Sequence, residues 1–538
     1  MEKNEWALVQ EKCLLQAVDK LGEGSKIVWI IFFTNIFTLI LYGLNSMSYV
    51  YIAEIPEFQC SIPELTNANW TKEQINEIST VDSCQKYDYN YTHLANLGYN
   101  KTAKYIKELK IPSTTSCESF IFDDSVRSTV VDEWQLVCDK KLHRANTFSV
   151  YAAGIIVGSA FFGTFADTYG RKNSLIISII LQIISGPVSA LVPWFWVYMT
   201  CRFFTGMSLG GMFSSAYTIL SEIAKGRRRE VYISLLDAAF SIGTFFLIGM
   251  AYVLPTWRQL QLGISCFIIP MTILIWWIPE SPRWLVSQNH HDEAQKIIEK
   301  YCGSLEIPPM STVENSTVNF KSSSLNKKKK DFFNRNFESL RILFTDFRKK
   351  ILIMYFICYV TAAVCYSLIF NVDNFSTDRH LFMIVVAVEE IIAHLTILVV
   401  FIFLSSRKSL ALAYLSGSVL LMLILVVPVE NKKVTMGLVL ATKFFVETTF
   451  TSSIALNSEL FPSNIRNTAL GTCVVMEQMG SLTAPYIVDL LGDIVWWAPT
   501  LLCCILSLLA GLFCCIIPPT NLSDENKSKS NKKDSAAD

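Results

Sequence analysis

Twelve apolar stretches, each long enough to cross a bilayer, leave this chain little choice but to fold as a bundle of helices in a membrane. The first covers 27–52, ample for a hydrocarbon core about 30 Å thick at ~1.5 Å of rise per residue. Eleven more follow at 147–166, 174–192, 195–221, 231–254, 260–278, 351–370, 381–404, 410–427, 436–458, 470–491 and 496–517. The expectation is an all-α membrane protein with twelve transmembrane helices. At 51% hydrophobic and 17% charged over 538 residues, the chain is too apolar for an ordinary soluble protein. Its 46 Lys and Arg balance 46 Asp and Glu, so net charge points to no nucleic-acid partner. The partner that composition requires is the lipid bilayer.

Charged landmarks between the stretches repeat. The turn Gly163-Thr164-Phe165-Ala166-Asp167-Thr168-Tyr169-Gly170-Arg171-Lys172 joins the second stretch to the third. Asp167 places a carboxylate at a helix end, Gly170 permits the sharp turn, and Arg171 with Lys172 marks the turn as cytosolic. A fainter copy surrounds Arg407, 236 positions after Arg171 (407 − 171). Glu222 and Arg229, seven apart, return as Glu459 and Arg466 at an offset of 237 (459 − 222 and 466 − 229). Parallel repeats of membrane helices mark one large class of transporters, and they predict two pseudo-symmetric six-helix halves here. Gly154 with Gly158, and Gly206 with Gly210, have the spacing that lets helix backbones approach.

The polar segments follow from the count of crossings. No cleavable signal peptide is evident in 1–26, which is read as a cytosolic amino terminus. Residues 53–143 carry three glycosylation acceptors, Asn69, Asn90 and Asn100, and four cysteines, Cys60, Cys84, Cys117 and Cys138. Such a block belongs outside the cell, as a large loop between the first two helices, with two disulfides in one of three connectivities. Residues 147–278 complete the amino-terminal half, and 279–350, with Lys327–Lys330 and the formal acceptor Asn315, read as a cytosolic linker. The carboxyl-terminal half spans 351–517, and 518–538 form a cytosolic tail.

The Gly163–Lys172 turn resembles the loop motif of the major facilitator superfamily, with Phe165 in place of Leu and Thr168 in place of Arg. Within that superfamily, Pro279-Glu280-Ser281-Pro282-Arg283-Trp284-Leu285, Trp257-Arg258 and Ser458-Glu459-Leu460-Phe461-Pro462-Ser463-Asn464-Ile465-Arg466-Asn467 resemble the organic cation/anion/zwitterion transporter family, solute carrier family 22-like. The likeness runs through nearly the whole chain and is nearest the organic cation members. Two departures are four loop cysteines where members often have six, and Pro518-Pro519-Thr520 where an acidic Pro-Glu-Thr is usual. The resemblance implies a plasma-membrane carrier, not an enzyme, whose halves rock about a central cavity. It also implies that Gly163, Asp167, Gly170, Arg171, Lys172, Glu222, Arg229, Glu459 and Arg466 act as a cytosolic gate.

Ionisable residues inside a crossing are functional candidates by default. The acidic set is Asp237, Glu389, Glu390, Glu447 and Glu477; the basic set is Arg202 and Lys443. Glu389 and Glu390 point about 100° apart on a helix, so they cannot both face the same direction, and at least one is expected to face the cavity. Lys443 sits four positions before Glu447 and either pairs with it or holds a substrate carboxylate. The resemblance implies a helix-eight Glu at Glu389 or Glu390 and an acidic residue at or beside Gln478 for cation members, and basic residues there for anion members. Tyr217, Phe240 and Tyr366 supply faces for cation–π attraction. Glu390 and His394 lack the third ligand a metal needs, and no cofactor motif is present. The expected function is polyspecific transport of small organic cations, facilitative and driven by membrane potential. The alternatives are a carrier of zwitterions or organic anions, and a non-transporting receptor.

Overall fold

The computed structural model describes residues 14, 17–18, 25–108, 113–123, 127–223, 226–288, 290–302, 340–376, 378–428 and 431–517. The amino terminus before residue 25, apart from three positions, most of the 279–350 linker including Asn315, and the 518–538 tail lie outside these residues. So do the side chains of Arg229 and Asp237.

Among the described residues, eleven long helices and one short, interrupted one form the bundle. The first half contains α1 (Lys26–Met47), α2 (Lys141–Tyr169), α3 (Arg171–Leu191), α4 (Phe195–Ile223), α5 (Gly226–Val253) and α6 (Trp257–Cys266). The second contains α7 (Arg348–Phe370), α8 (Arg379–Phe403), α9 (Ser406–Val426), α10 (Lys432–Leu460), α11 (Ser463–Ile494) and α12 (Ala498–Ile516). Among the described residues, seven spans are long and apolar enough to cross a membrane on their own. Helices α10 and α11 are diluted by Lys443, Glu447 and Glu477, the groups that turn inward.

Several boundaries differ from the sequence expectation, for physical reasons. Helix α2 starts at Lys141 rather than 147, because Lys141 and Arg144 in its first turns pair with Asp493 and Asp489 on α11. The segment between the first two helices therefore ends at Lys140. Helix α1 breaks at Ser48, whose hydroxyl donates to the Asn45 carbonyl at 2.7 Å, and resumes as Tyr49–Ile52. Helix α6 breaks after Cys266 and resumes at Ile269–Leu274; Pro270, lacking an N–H, cannot continue the α6 ladder.

The halves pack alike. Helix α1 lies on α5 and α7 on α11, while α3 lies on α4 and α9 on α10. Between halves the main contacts are α2 with α11 and α5 with α8, pairs that exchange under the two-fold relation. The α2–α4 seam brings backbones together: a Cβ at Gly154 would strike the Phe203 carbonyl oxygen, and one at Gly206 the Tyr151 carbonyl oxygen. Polar pairs bind α3 to α4, with Ser208 Oγ donating to Gln182 Oε1 at 2.9 Å and Ser215 Oγ to Ser174 Oγ at 2.8 Å. Gly206→Val is expected to lower the unfolding midpoint of detergent-purified protein by several degrees. Overpacking costs about 1–3 kcal/mol and here meets backbone, which cannot rotate away.

The insert between α1 and α2 folds on itself. Strand β1 (Phe58–Cys60) pairs antiparallel with β4 (Phe120–Phe122), and β2 (Gln85–Tyr87) with β3 (Thr114–Ser116). Disulfides Cys60–Cys117 and Cys84–Cys138 cross-link it, and Ile62, Leu65, Ile75, Ile78, Tyr91 and Leu94 form a core separate from that of the bundle. Asn69, Asn90 and Asn100 are all exposed. The insert is tied to the bundle through Glu133, which accepts from Trp257 Nε1 at 2.9 Å and pairs with Arg258.

Candidate functional site

A cavity of about 250 Å³ lies between the halves, walled by residues of α1, α2, α4, α5, α7, α8, α10 and α11. Among the described residues, none of helices α3, α6, α9 and α12 lines it. The wall includes Phe240, Tyr366, Glu390, Glu447, Glu477 and Gln478, six of the candidate residues, together with His394. Tyr42, Phe213 and Phe450 add rings. Among the described residues the wall has three carboxylates and no lysine or arginine.

Two candidates sit elsewhere. Tyr217 stacks on Phe213 with ring centroids 5.6 Å apart, one turn beyond the wall. Glu389 does not line the cavity, and its two carboxylate oxygens are buried with no hydrogen-bond partner among the described residues. Of the adjacent pair on α8, it is Glu390 that points inward.

Lys443, on α10, lies just behind the wall. Its Nζ is 2.9 Å from Glu390 Oε1 and 2.6 Å from Glu447 Oε2, so it pairs not only with the carboxylate four residues on but with one on the neighbouring helix. Glu390 Oε2 accepts from Ser241 Oγ of α5 at 2.9 Å, which makes this carboxylate a link between the halves. His394 Nδ1 lies 2.7 Å from the Glu390 carbonyl oxygen and Nε2 3.9 Å from Glu447 Oε1. No group of three His, Cys, Asp or Glu side chains among the described residues is arranged to hold a metal ion.

Toward the insert, the cavity is roofed by the rings of Tyr366, Phe148 and Phe370, with Tyr49 4.6 Å from Phe370. Beyond the rings the halves are bonded directly. Arg144 Nη1 is 2.5 Å from Asp489 Oδ1, Ser149 Oγ donates to the Leu482 carbonyl at 2.8 Å, and Arg379 Nη1 is 3.0 Å from Glu54 Oε2. Arg144 also donates to the Ala53 carbonyl. At the opposite end, the bonds around Gly170 tie elements of one half to one another. The molecule is closed at the insert end.

Residues 74–521 match the model of the family described as "Sugar (and other) transporter". The chain belongs to that family. It is similar to the organic cation transporter protein of Drosophila melanogaster, 27% identical over 94% of this chain and 91% of that protein. Similar too are solute carrier family 22 member 6 of Pseudopleuronectes americanus (25%, covering 90% and 89%) and human organic anion transporter 3 (28%, covering 74% and 73%). The fold is that of the xylose transporter XylE of E. coli in a partially occluded inward-open conformation, with a TM-score of 0.60 at 15% identity, covering 92% of this chain and 98% of that one. Family and relatives agree on a membrane transporter, not an enzyme, and its fold is that of the major facilitator superfamily.

In this transporter the charged motifs lock the Gly170 end of the first half. Arg171 Nη2 is 2.9 Å from both Asp167 Oδ1 and Glu222 Oε1, bridging the ends of α2 and α4. Gly170 has φ +101°, and a Cβ there would collide with the Glu280 carboxylate, which accepts from the backbone N–H groups of Arg171 and Lys172. Burial pushes the Glu280 carboxyl above its ordinary value, against the opposing pull of those N–H groups and that of Ser281. Trp284 Nε1 donates to the Asp167 carbonyl at 3.0 Å, and Ser281 donates to Glu222. Gly163 lies on α2 with room for a Cβ and makes none of these bonds.

The second half repeats this only in outline. Glu459 accepts from Ser406 Oγ at 2.6 Å, Arg407 donates to the Ile517 carbonyl, and Arg466 is exposed, its Nε bonded to the Phe461 carbonyl. Among the described residues Glu459 and Arg466, both placed in the cytosolic gate by the family resemblance, do not pair with each other; the guanidinium turns back to its own helix start. Sequence reasoning missed Glu280, Ser281 and Trp284 as lock members, although they stand in a quoted motif, and missed Glu133 and Ser241, which have no local signal.

Proposed function

We propose that this chain carries small organic cations across the plasma membrane by alternating access, with the membrane potential as the driving force. The observation that carries the reading is the charge of the cavity. Glu390, Glu447 and Glu477 face it, and among the described residues its wall carries no lysine or arginine, the nearest being the single Lys443 behind it. Rings of Tyr42, Phe213, Phe240, Tyr366 and Phe450 can replace part of an ammonium's hydration through their faces. The cytosolic reading of the Gly170 turn places the insert outside, glycosylated at Asn69, Asn90 and Asn100, and both termini inside. The described state is then inward-facing.

An anion or zwitterion carrier is the second reading, favoured by the similarity to organic anion transporter 3. Such cargo needs an available cation on the wall, and Lys443 is held by two carboxylates. Flux measured in vesicles with a panel of quaternary ammonium, carnitine-like and aromatic carboxylate compounds separates these readings. Ammonium flux alone supports ours, carboxylate flux supports the second, and binding without flux supports a receptor.

A further inference from the structure

The lysine behind the wall is the part of the cavity that neither the repeat nor the motifs explain. Its side chain is 1% exposed, against 3% for Glu390 and 12% for Glu447. The two carboxylates reach the cavity and the ammonium does not. Each carboxylate gives one oxygen to Lys443 and turns the other elsewhere: Glu390 Oε2 to Ser241 of the opposite half, Glu447 Oε1 toward His394. Glu390 and Glu447 together carry one more negative charge than the single Lys443 they enclose. A cation that enters completes the neutralisation; a second positive charge on the same cargo would have to compete with an ammonium already seated at 2.6 and 2.9 Å.

Resting on the organic cation reading, we infer that Lys443 is a tethered counter-cation that sets which cargo charge the cavity accepts. It lowers the negative charge of the wall by one and turns the preference toward singly charged cations. It does so by positioning and partly neutralising Glu390 and Glu447, without touching the cargo itself. In Lys443→Met the two carboxylates, on neighbouring helices, become an open pair able to take a dication. In Glu447→Gln the lysine instead cancels Glu390, and that side of the cavity loses its attraction for any cation. Removing both Lys443 and the Glu447 charge restores the single negative charge.

The test uses full-length protein in proteoliposomes at a fixed inside-negative potential, with uptake normalised to folded protein. The probes are tetraethylammonium, a monocation, and hexamethonium, a dication. Lys443→Met is expected to raise the hexamethonium-to-tetraethylammonium uptake ratio about tenfold, the scale of one charged hydrogen bond. Glu447→Gln is expected to raise the KM for tetraethylammonium about tenfold on the same basis. The Lys443→Met/Glu447→Gln double variant is expected to recover most of that KM and return the ratio to the wild-type value. Should Lys443→Met fail to fold, the comparison of Glu447→Gln with the double variant carries the same test. A ratio unchanged in folded Lys443→Met, or a double variant whose KM is no better than that of Glu447→Gln, overturns the inference. A wild-type protein that moves neither probe overturns the cation reading instead.

Discussion

Glu390→Gln is expected to cut tetraethylammonium uptake by about tenfold to a hundredfold while leaving the protein folded. A hydrogen bond to a charged group contributes about 1.5–3 kcal/mol, which converts to that range. The amide keeps an acceptor for Ser241 Oγ, and Lys443 keeps Glu447, so the packing between α5 and α8 survives. What is lost is the charge, because Lys443 then neutralises Glu447. Initial uptake rates in vesicles, beside a melting curve for the same preparation, check both halves of the statement. Undiminished uptake by Glu390→Gln would remove this carboxylate from the account of substrate binding.

The second large effect concerns the seal. Arg144→Gln should leave Asp489 buried with its charge uncompensated, and breaking a buried pair from one side costs about 3–5 kcal/mol. That penalty falls on the state in which the two meet, the one closed at the insert end. The closed population should therefore drop by about two orders of magnitude or more relative to states in which Asp489 is hydrated. Ser149, which bonds across the seam to Leu482, reports on it. In a Ser149→Cys background, a membrane-impermeant thiol reagent should label the Arg144→Gln variant much faster than the parent. The Arg144→Gln/Asp489→Asn double variant should fall between them, since no buried charge is then left alone. Equal labelling rates in all three would mean the pair does not hold the seal.

These effects show where the sequence was readable and where it was not. The helices announced themselves because about 20 apolar residues in succession can do little in a bilayer but span it. Their ends did not: the first turns of α2 are as polar as the insert before them, and the carboxylates that hold Lys141 and Arg144 there, Asp493 and Asp489, lie more than three hundred residues away. Glu390, Glu447 and Glu477 were legible as charges where charge is costly. The choice between Glu389 and Glu390 was not, because a 100° rotation is decided by packing against α5 and α10. The same holds for Lys443, whose i, i+4 partner Glu447 can be read along the helix while its second partner Glu390 lies 53 positions earlier. The lock around Gly170 was half visible. A glycine followed by two basic residues signals a turn, but the Glu280 that fills the space of its missing side chain arrives from the chain beyond α6.

The most direct measurement is voltage-dependent flux through purified, reconstituted protein. Vesicles loaded with potassium and made inside-negative with valinomycin are offered radiolabelled tetraethylammonium, with and without the potential. Transport of a permanent cation down its electrical gradient gains about 2.3 kcal/mol per 100 mV, so accumulation should rise with the imposed potential and collapse when it is dissipated. The account predicts such accumulation in the wild type and its loss in Glu390→Gln. Potential-independent uptake of a carboxylate, with no movement of the quaternary ammonium, would contradict it.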